Sequence, residues 1–475
     1  MEQPCSASVL AQYPQPDTAR LSAALAAEAD ANQRKIIVLD DDPTGVQTVH
    51  DIFVYTDWSI ESLRKGFAAP EKLFFILTNS RGFTVAETTK AHIEIAENVD
   101  QVAQEFGMDY LIISRGDSTL RGHYPLETDL LRQVAEKKGG FSMDGEILCP
   151  YFKEGGRFTL NNVHYVRYGD ELVPCGQTEF AKDETFGYTS SNLCDYIEEK
   201  TAGKFRAGDV TCIPLESLRA LDFDGIEAQL LAVHDFGKVV VNAVEDCDVQ
   251  AFAVALYRAM AKGRHFTIRC AAALVKAIGN ISSQPLLRRE QMVTLKNSAG
   301  GIIVVGSHTK KTTAQLEELK KVSGIEFIEM DSDKVLVPGA LEQEAASIIE
   351  RCARLIQQGV TCCVSTKRTV LTLPDDTPEA ALVRSVAISD ALQSCVGKLP
   401  VTPAFVVAKG GITSSDVGVK ALRVQCARVL GQIRPGIPVW QTGPESLFPG
   451  TPYVIFPGNV GEMSTLREAI EILLG

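Results

Sequence analysis

The chain has 475 residues, too many for one ordinary hydrophobic core, and its 45% hydrophobic and 23% charged residues are typical of a globular protein with two or three domains. Its net charge of −13 offers no basic field to nucleic-acid phosphates, so we expect no nucleic-acid partner. No stretch approaches the roughly 20 apolar residues of a membrane helix, and no signal-peptide pattern opens the chain, so we expect a cytoplasmic protein without a membrane partner.

Strand-like apolar runs alternate with helical periodicity along the chain, which predicts an α/β fold of two domains, each with a largely parallel sheet flanked by helices. The predicted strands are Ile36–Leu39, Ile52–Tyr55, Leu73–Leu77, Tyr110–Ser114, Ile147–Pro150, Val239–Ala243, Ile302–Val305, Thr361–Val364, Phe405–Ala408, Val439–Thr442 and Tyr453–Phe456. The predicted helices are Val85–Phe106, Pro125–Lys138, Ser190–Lys200, Val249–Lys262, Thr312–Val322, Ala340–Gln357, Glu379–Val396, Ser414–Leu430 and Glu462–Leu474.

Composition changes mark the domain boundaries. Residues 1–33 are expected to be an N-terminal extension, loosely held before a helix near Ala19–Ala31. Residues 155–183 are polar, rich in Gly and aromatic residues and poor in helical periodicity, which predicts a β-hairpin or flap inserted into the first domain. Periodicity is lost again near residues 281–301, so we expect a linker at 283–300 between a domain of residues 34–282 and one of residues 301–475.

The first predicted strand runs without a spacer into Asp40-Asp41-Asp42-Pro43-Thr44-Gly45. Three adjacent carboxylates repel one another and stay ionised cheaply only where water, a cation or hydrogen-bond donors meet them. Ligands bind at the carboxyl ends of strands in open α/β sheets, so this turn is a candidate site for a polar ligand or a metal. The alternative is a solvated turn whose aspartates cap a helix.

Two later strand ends carry groups suited to an anion. Thr78-Asn79-Ser80-Arg81-Gly82 follows one strand, and Ser114-Arg115-Gly116-Asp117-Ser118-Thr119-Leu120-Arg121-Gly122 follows another. A guanidinium holds a carboxylate through two hydrogen bonds, and nearby carboxylates and hydroxyls can read alcohol groups, so the set suits a small polyhydroxy acid. Each arginine taken alone is equally well explained as a surface charge or a structural ion pair.

The second half has three strand ends rich in glycine. They are Gly306-Ser307-His308-Thr309, Lys409-Gly410-Gly411-Ile412-Thr413 and Pro457-Gly458-Asn459-Val460-Gly461. Glycines let the backbone approach a ligand closely, and the free N–H groups of a following helix point at an anion. Three such junctions in one domain predict a site for an anion the size of a nucleotide, although neither the Walker nor the Rossmann fingerprint occurs.

Taken together, these motifs resemble the four-carbon acid sugar kinase family. Asp-Ser-Thr-Leu-Arg-Gly at residues 117–122 is the most specific element, and the others follow in the expected order over nearly the whole chain, including Val163-His164-Tyr165-Val166 and Glu179-Phe180-Ala181-Lys182-Asp183. The resemblance implies that residues 34–282 bind a sugar acid and residues 301–475 bind ATP. The implied activity is ATP-dependent phosphorylation of a threonate, an erythronate or a 3-oxo-tetronate.

The resemblance also implies the site residues. The acid-sugar site would comprise Asp41, Asp42, Thr44, Gly45, Arg81, Asp117, Ser118, Arg121 and Gly122. The ATP site would comprise Ser307, Lys409, Gly410, Gly411, Ile412, Thr413, Gly458 and Asn459. The chain departs from the family pattern at Pro43, at Arg115-Gly116 where a lysine is common, at Lys409 and Ile412, and at Pro457 and Val460.

For the chemistry we expect Mg²⁺ bound to ATP, with protein ligands that the sequence does not identify. Asp42 and Asp117 are the catalytic candidates for accepting the hydroxyl proton, and Asp42 is preferred because neighbouring carboxylates should raise its proton affinity. Lys409 is expected to meet phosphate charge or a neighbouring acid. The alternatives are a kinase for a branched or five-carbon oxo-acid of the 3-oxo-isoapionate type, a non-catalytic sugar-acid sensor, or a metal-dependent aldolase or dehydratase. Such an enzyme is compatible with a homodimer.

Overall fold

A computed structural model describes residues 2–294, 298–374, 376–458 and 460–475. The chain forms two compact units: Met1–Gly45 with Asp57–Ser283, and Val46–Thr56 with Gln284–Gly475. The second unit thus includes residues 46–56, which the sequence analysis had assigned to the first domain. Among the described residues, no helix combines the length and the apolar character that crossing a membrane requires.

The strands of the described chain are short and mostly buried. They are β1 (Cys5–Ser6), β2 (Lys35–Asp40), β3 (Ile52–Tyr55), β4 (Leu73–Leu77), β5 (Tyr110–Arg115), β6 (Gly145–Cys149), β7 (Arg157–Leu160), β8 (Val163–Tyr168), β9 (Glu171–Pro174), β10 (Thr211–Ile213), β11 (Gly237–Val241), β12 (Phe266–Cys270), β13 (Ile302–Val305), β14 (Ile325–Met330), β15 (Thr361–Thr366), β16 (Val406–Lys409), β17 (Cys426–Arg434), β18 (Ile437–Thr442) and β19 (Pro452–Phe456).

The helices connect most of these strands. They are α1 (Thr18–Ala31), α2 (Ile60–Ala68), α3 (Val85–Phe106), α4 (Leu126–Gly139), α5 (Leu193–Lys200), α6 (Leu215–Arg219), α7 (Phe223–Leu231), α8 (Asp246–Ala261), α9 (Ala272–Ile278), α10 (Arg289–Met292), α11 (Lys310–Leu319), α12 (Ala340–Gln357), α13 (Pro378–Gly397), α14 (Gly411–Asp416) and α15 (Thr465–Leu474).

The main sheet of the first unit has the strand order β10-β11-β6-β12-β5-β2-β4, and its neighbouring strands are parallel. The central strand β2 is buried at every position because helices cover both faces of such a sheet. The strands β4, β2 and β5 are adjacent, so the polar segments that follow them emerge at one edge. This arrangement confirms the predicted α/β class and brings the candidate site residues together.

A second, antiparallel sheet contains the predicted hairpin. Its strand order is β1-β9-β8-β7, with β8 paired to both β7 and β9. The N-terminal residues belong to this unit, since β1 pairs with β9, and Leu21, Leu25 and Ala29 of α1 are buried. The helix expected near Ala19–Ala31 is confirmed as α1, whereas the expectation of a loosely held segment before it is wrong at β1, which has a strand partner.

The sheet of the second unit has the strand order β3-β17-β18-β19-β16-β13-β15-β14. Strands β19, β16, β13, β15 and β14 pair in parallel, whereas β3, β17 and β18 pair antiparallel. The main core of this unit includes Val305, Val407 and Phe456, which lie at or near the ends of the three strands that carry the glycine-rich loops.

The predicted helix at Ser414–Leu430 is wrong. Helix α14 ends at Asp416, a π-helical turn covers Val417–Ala421, and β17 begins at Cys426. Buried and more exposed residues alternate along β17, which is the period of a strand that has one face on a core. Pairing with β3 and β18 thus decides the structure of a segment whose apolar residues also suit a helix.

Candidate functional site

Arginines from two neighbouring strand ends hold the acidic turn after β2. Asp40 is buried, and its Oδ1 lies 3.0 Å from Nη1 of Arg115. Asp41 is also buried, with Oδ1 2.8 Å from Arg81 Nη2 and 3.5 Å from Arg115 Nη1. The backbone of Gly45 packs directly against the Asp40 side chain, since a Cβ at Gly45 would lie 2.0 Å from an Asp40 carboxylate oxygen. The turn is therefore a network of buried ion pairs and not a solvated cap.

Asp42 retains some exposure to solvent, at 18% of its side chain. Thr44 donates its backbone N–H and its hydroxyl to Oδ1 at 2.8 and 2.6 Å, and Arg81 Nη1 lies 3.2 Å from Oδ2. Burial alone would raise the pKa of Asp42, but Arg81 and the two hydrogen bonds from Thr44 outweigh it and lower the pKa. The expectation that neighbouring carboxylates raise the proton affinity of Asp42 is therefore wrong.

Asp40 is the carboxylate whose proton affinity rises. Burial raises the pKa of Asp40 to about 7 although Arg115 opposes the change, and the charges of Asp41 and Asp42 add to the rise. With 1% of its surface exposed, Asp40 is enclosed by the turn and is a structural part of it.

The loop after β5 carries a second charged pair. Arg121 Nε donates to Asp117 at 2.7 Å, the Thr119 hydroxyl donates to the same oxygen, and Asp183 lies 3.9 Å from Arg121. Burial would raise the pKa of Asp117, but Arg81 and Arg121 lower it, as does Thr119. Arg81 thus acts electrostatically on carboxylates of both loops and links them into one charged cluster.

Side chains from β8, from α5 and from the segment between the antiparallel sheet and α5 anchor this loop by its backbone. Three buried donors reach three successive carbonyl groups: His164 Nε2 to Ser118 at 2.8 Å, Tyr188 to Thr119 at 2.7 Å, and Tyr196 to Leu120 at 3.0 Å. The loop is therefore fixed before any ligand arrives, which is what a preorganised site requires.

A buried ion pair packs against the loops that follow β4 and β5. Arg269 Nη1 lies 2.5 Å from Glu127, and Glu127 accepts a hydrogen bond from Ser80 at 2.7 Å. Gly116 and Gly122 pass so close to the Arg269 guanidinium that a Cβ would lie 2.2 and 2.6 Å from it. The loop after β5 can take this path only because both positions are glycine.

The structure brings the predicted residues of the first domain to one edge of the sheet. Hydrogen bonds, ion pairs or turn packing join Asp41, Asp42, Thr44, Gly45, Arg81, Asp117 and Arg121, and Ser118 and Gly122 lie in the anchored loop. The sequence analysis placed Arg115 in a segment suited to an anion but not among the site residues, and it assigned no role to Glu127, Arg157 or Arg269. The position of Arg115 after an apolar run gave a local signal, whereas Glu127 and Arg269 meet only through the fold.

In the second unit, the glycine-rich loops after β13, β16 and β19 meet around Ser307. A Cβ at Gly410 would lie 3.2 Å from Ser307 Cβ, and one at Gly458 would lie 3.2 Å from Ser307 Oγ. Thr312 at the start of α11 donates its hydroxyl to the Gly458 carbonyl at 3.0 Å. Backbone and hydroxyl groups therefore build this strand-end cluster, with little side-chain bulk between them.

Lys409 is fully buried at the end of β16, beneath that cluster. Its Nζ donates to the carbonyl groups of Pro457 and Gly458 at 2.6 and 3.2 Å and lies 4.2 Å from the centre of the Phe456 ring. Burial lowers the pKa of Lys409 to about 7. Among the described residues no carboxylate pairs with Lys409, so the alternative of a salt bridge with a neighbouring acid is wrong, and the amine orders the loop after β19.

Arg368 is a cation of this region that the sequence analysis missed. It follows β15, the strand next to β13, and donates to the Ser307 carbonyl. Its Nη1 is buried, and no hydrogen-bond partner for it occurs in the part of the chain that the structure describes. The residue lies in a segment without glycine, so no loop signature marked it.

The remaining predicted residues of the second domain differ in burial. Thr413 is buried against Gly306, whereas Ile412 is 75% exposed. Asn459 lies outside the described residues. Across the ranges that the structure describes, His, Cys, Asp and Glu side chains form no group of three or more that could hold a metal ion.

Comparisons with known proteins agree with this division into two sites. Residues 36–278 match the model of a sugar-binding N-terminal domain, and residues 302–466 match that of a nucleotide-binding C-terminal domain. A D-threonate kinase from Salmonella typhimurium is 23% identical over 371 residues, covering 76% of this chain and 80% of that protein.

Two crystal structures share the fold. Haemophilus influenzae protein HI1011 has a TM-score of 0.60 at 17% identity, covering 92% of this chain and 100% of that one. A candidate tRNA synthase from Salmonella typhimurium LT2 has a TM-score of 0.65 at 15% identity, covering 91% and 98%. With both domain models matched in order over most of its length, the chain belongs to the four-carbon acid sugar kinase family.

Proposed function

We propose that this protein is an ATP-dependent kinase that phosphorylates a hydroxyl group of a small sugar acid, either a four-carbon aldonate or a 3-oxo-tetronate. The observation that carries the proposal is the charged cluster at the ends of β2, β4 and β5. There, Asp42 and Asp117 lie beside Arg81 and Arg121, with 13% to 24% of each side chain exposed. Carboxylates for hydroxyl groups and guanidinium groups for an acid suit a sugar acid.

The glycine-rich cluster of the second unit supports the nucleotide half of the proposal. Ser307, Gly410 and Gly458 come together at the carboxyl ends of parallel strands, where the absence of side chains on the glycines leaves room for phosphate groups to approach the backbone. The N–H groups of Ser307 and Gly410 donate to the carbonyl groups of Lys409 and Phe456, which fixes the loops around that space. The exposed Ile412 offers an apolar surface beside them for a planar base. We propose that Mg²⁺ enters with ATP, because Mg²⁺ in such sites is held mainly by substrate phosphates and water.

The proposed reaction depends on placement and charge neutralisation. Asp42 and Asp117 are the candidate acceptors for the hydroxyl proton, and the lowered pKa of each keeps it ionised at neutral pH. Arg81 and Arg121 limit the repulsion between these carboxylates and the acid group of the substrate. Mg²⁺ on the nucleotide supplies the charge that stabilises the transferring phosphoryl group.

A direct test incubates the protein with ATP, Mg²⁺ and a panel of D- and L-threonate, D- and L-erythronate and 3-oxo-tetronate. We expect ADP to form only in the presence of a sugar acid, and a phosphorylated acid to appear in equal amount by mass spectrometry. Sugar-acid binding without ADP formation would favour a sensor. Loss of the acid without ATP would favour an aldolase or dehydratase, and either result would reject the kinase.

A further inference from the structure

The arginines of the first unit differ in how their charge is balanced. Around the charged cluster, four arginines have a carboxylate partner within ion-pair distance: Arg81 with Asp41 and Asp42, Arg115 with Asp40 and Asp41, Arg121 with Asp117, and Arg269 with Glu127. These guanidinium groups already hold the fold and the loops together. An incoming carboxylate would compete with the protein's own carboxylates for each of them.

Arg157, the first residue of β7, has no such partner. Its Nε is buried without a hydrogen-bond partner, and among the described residues no carboxylate forms an ion pair with it. Burial lowers the pKa of Arg157, and the charges of Asp117 and Glu179, neither of which forms an ion pair with it, only partly offset the change. A partly buried charge without an ion-pair partner is unfavourable, so one that the fold retains calls for an explanation.

The surroundings of Arg157 place it beside the charged cluster. Its guanidinium carbon lies 5.4 Å from the centre of the Phe180 ring, and that of Arg121 lies 5.1 Å from the same ring. Nη1 of Arg157 is next to Gly155, where a Cβ would lie 3.1 Å from it. One aromatic ring thus holds two cations near Asp117, and only one of them has an acid partner.

We propose that Arg157 is the carboxylate-binding residue of the sugar-acid site. Its guanidinium group binds the carboxylate of the substrate, which takes the place of the ion-pair partner that Arg157 lacks within the protein. This inference rests on the proposed function and adds to it the group that distinguishes an acid from a neutral polyol. The Phe180 ring holds the cation in place before binding through a cation–π contact. The positive charge of Arg121 repels Arg157 and lowers its pKa. The bound carboxylate reduces this repulsion.

The test compares the tetronate that the enzyme turns over with the tetritol of the same stereochemistry, which has the hydroxyl groups but lacks the carboxylate. Calorimetry without ATP gives the affinity for each ligand, and steady-state assays give the KM for each substrate. We expect Arg157→Gln to reduce the preference for the acid over the polyol by roughly 100-fold, as for a lost charge-assisted fork. The affinity for the polyol and the KM for ATP should stay within about twofold, because neither ligand carries the lost contact.

Arg167→Gln is the matched control, because Arg167 lies on the neighbouring strand β8 with 43% of its side chain exposed and pairs with Asp170. This variant should keep the wild-type preference for the acid. Arg157→Lys keeps the charge and the contact with the Phe180 ring. Its preference for the acid over the polyol should fall by about tenfold, because an ammonium group cannot bind a carboxylate through two parallel hydrogen bonds as a guanidinium does. It serves as the deciding variant if Arg157→Gln does not fold.

A folded Arg157→Gln that keeps the full preference for the acid would overturn the inference, and so would an unchanged Arg157→Lys if only that variant folds. Neither result touches the proposed function, which depends on ADP formation by the wild-type enzyme. Conversely, a wild-type protein that forms no ADP with any sugar acid rejects the kinase. Calorimetry with the same ligands still reports whether Arg157 binds a carboxylate.

Discussion

The two candidate sites occupy the same place in their sheets but use different chemistry. In the first unit, Asp41, Asp42, Arg81, Asp117 and Arg121 form paired charges on side chains. In the second unit, glycine backbone and hydroxyl groups surround Ser307, and the buried Lys409 binds carbonyl groups of the chain. Side-chain charges can discriminate among small acids, whereas backbone groups suit the phosphates that all nucleotides share.

We expect the largest effect when an acidic group of the first site is removed. Asp42→Asn keeps the shape of the side chain and should lower kcat by roughly 10²- to 10⁴-fold if Asp42 accepts the hydroxyl proton. The KM for ATP should not change, since the proposed nucleotide site lies in the other unit. Steady-state kinetics at saturating ATP measures both values.

Asp117→Asn is the companion variant, and the pair ranks the two candidate acceptors. The acceptor is the residue whose loss lowers kcat while calorimetry shows that the sugar acid still binds. Unchanged kcat in both variants would reject a carboxylate base in this cluster.

The next effect concerns the ion pair beneath the loops. Glu127→Gln leaves Arg269 buried without its counterion, and we expect the free energy of unfolding to fall by about 3–5 kcal/mol. Urea denaturation followed by circular dichroism measures the change. The exposed pair Arg64–Glu105 is the control, because Glu105→Gln removes an ion pair that solvent already screens and should change stability little. Equal losses in the two variants would contradict the structural role of Glu127.

A smaller effect tests the glycine-rich cluster. Gly410 has φ of +127°, and an added Cβ would lie 3.1 Å from Thr413 Oγ1 and 3.2 Å from Ser307 Cβ. Gly410→Ala should therefore raise the KM for ATP by about tenfold or more, through about 1–3 kcal/mol of strain at the site. The affinity for the sugar acid, measured by calorimetry, should not change.

Gly450→Ala controls for backbone strain, because Gly450 also has positive φ but has open space around it. Its KM for ATP should match that of the wild type. A similar rise in both variants would show that general strain, and not the cluster, governs nucleotide binding.

The smallest effect is a pH dependence of stability. The pKa of Lys409 is about 7 in the folded protein because of burial, whereas an unfolded lysine titrates near its ordinary value. Between these values the unfolded chain binds one more proton, so stability should rise with pH from 7 to 9 by about 1 kcal/mol per pH unit. Lys409→Met should remove this slope in urea denaturation at each pH. The same slope in both proteins would contradict the burial of the amine.

How far the sequence predicts this molecule depends on how local each signal is. Strands such as β2 and β13 are apolar runs that end in polar or glycine-rich turns, so the sequence locates these strands and the turns that follow them. The pairing of Glu127 with Arg269 and the unpaired state of Arg157 arise from distant segments that meet in the fold, and no local spacing encodes them. β17 was predicted as a helix because its strand partners, which decide its structure, lie elsewhere in the chain.

The most direct test of the division into two sites is equilibrium binding of each ligand alone, measured by calorimetry on the wild type, Arg121→Gln and Gly410→Ala. We expect Arg121→Gln, which removes the ion-pair partner of Asp117, to weaken only the sugar acid and Gly410→Ala to weaken only ATP, each by about tenfold or more. A variant that weakens both ligands equally, or an Arg121→Gln protein that loses affinity for ATP instead, would contradict the assignment of one ligand to each unit.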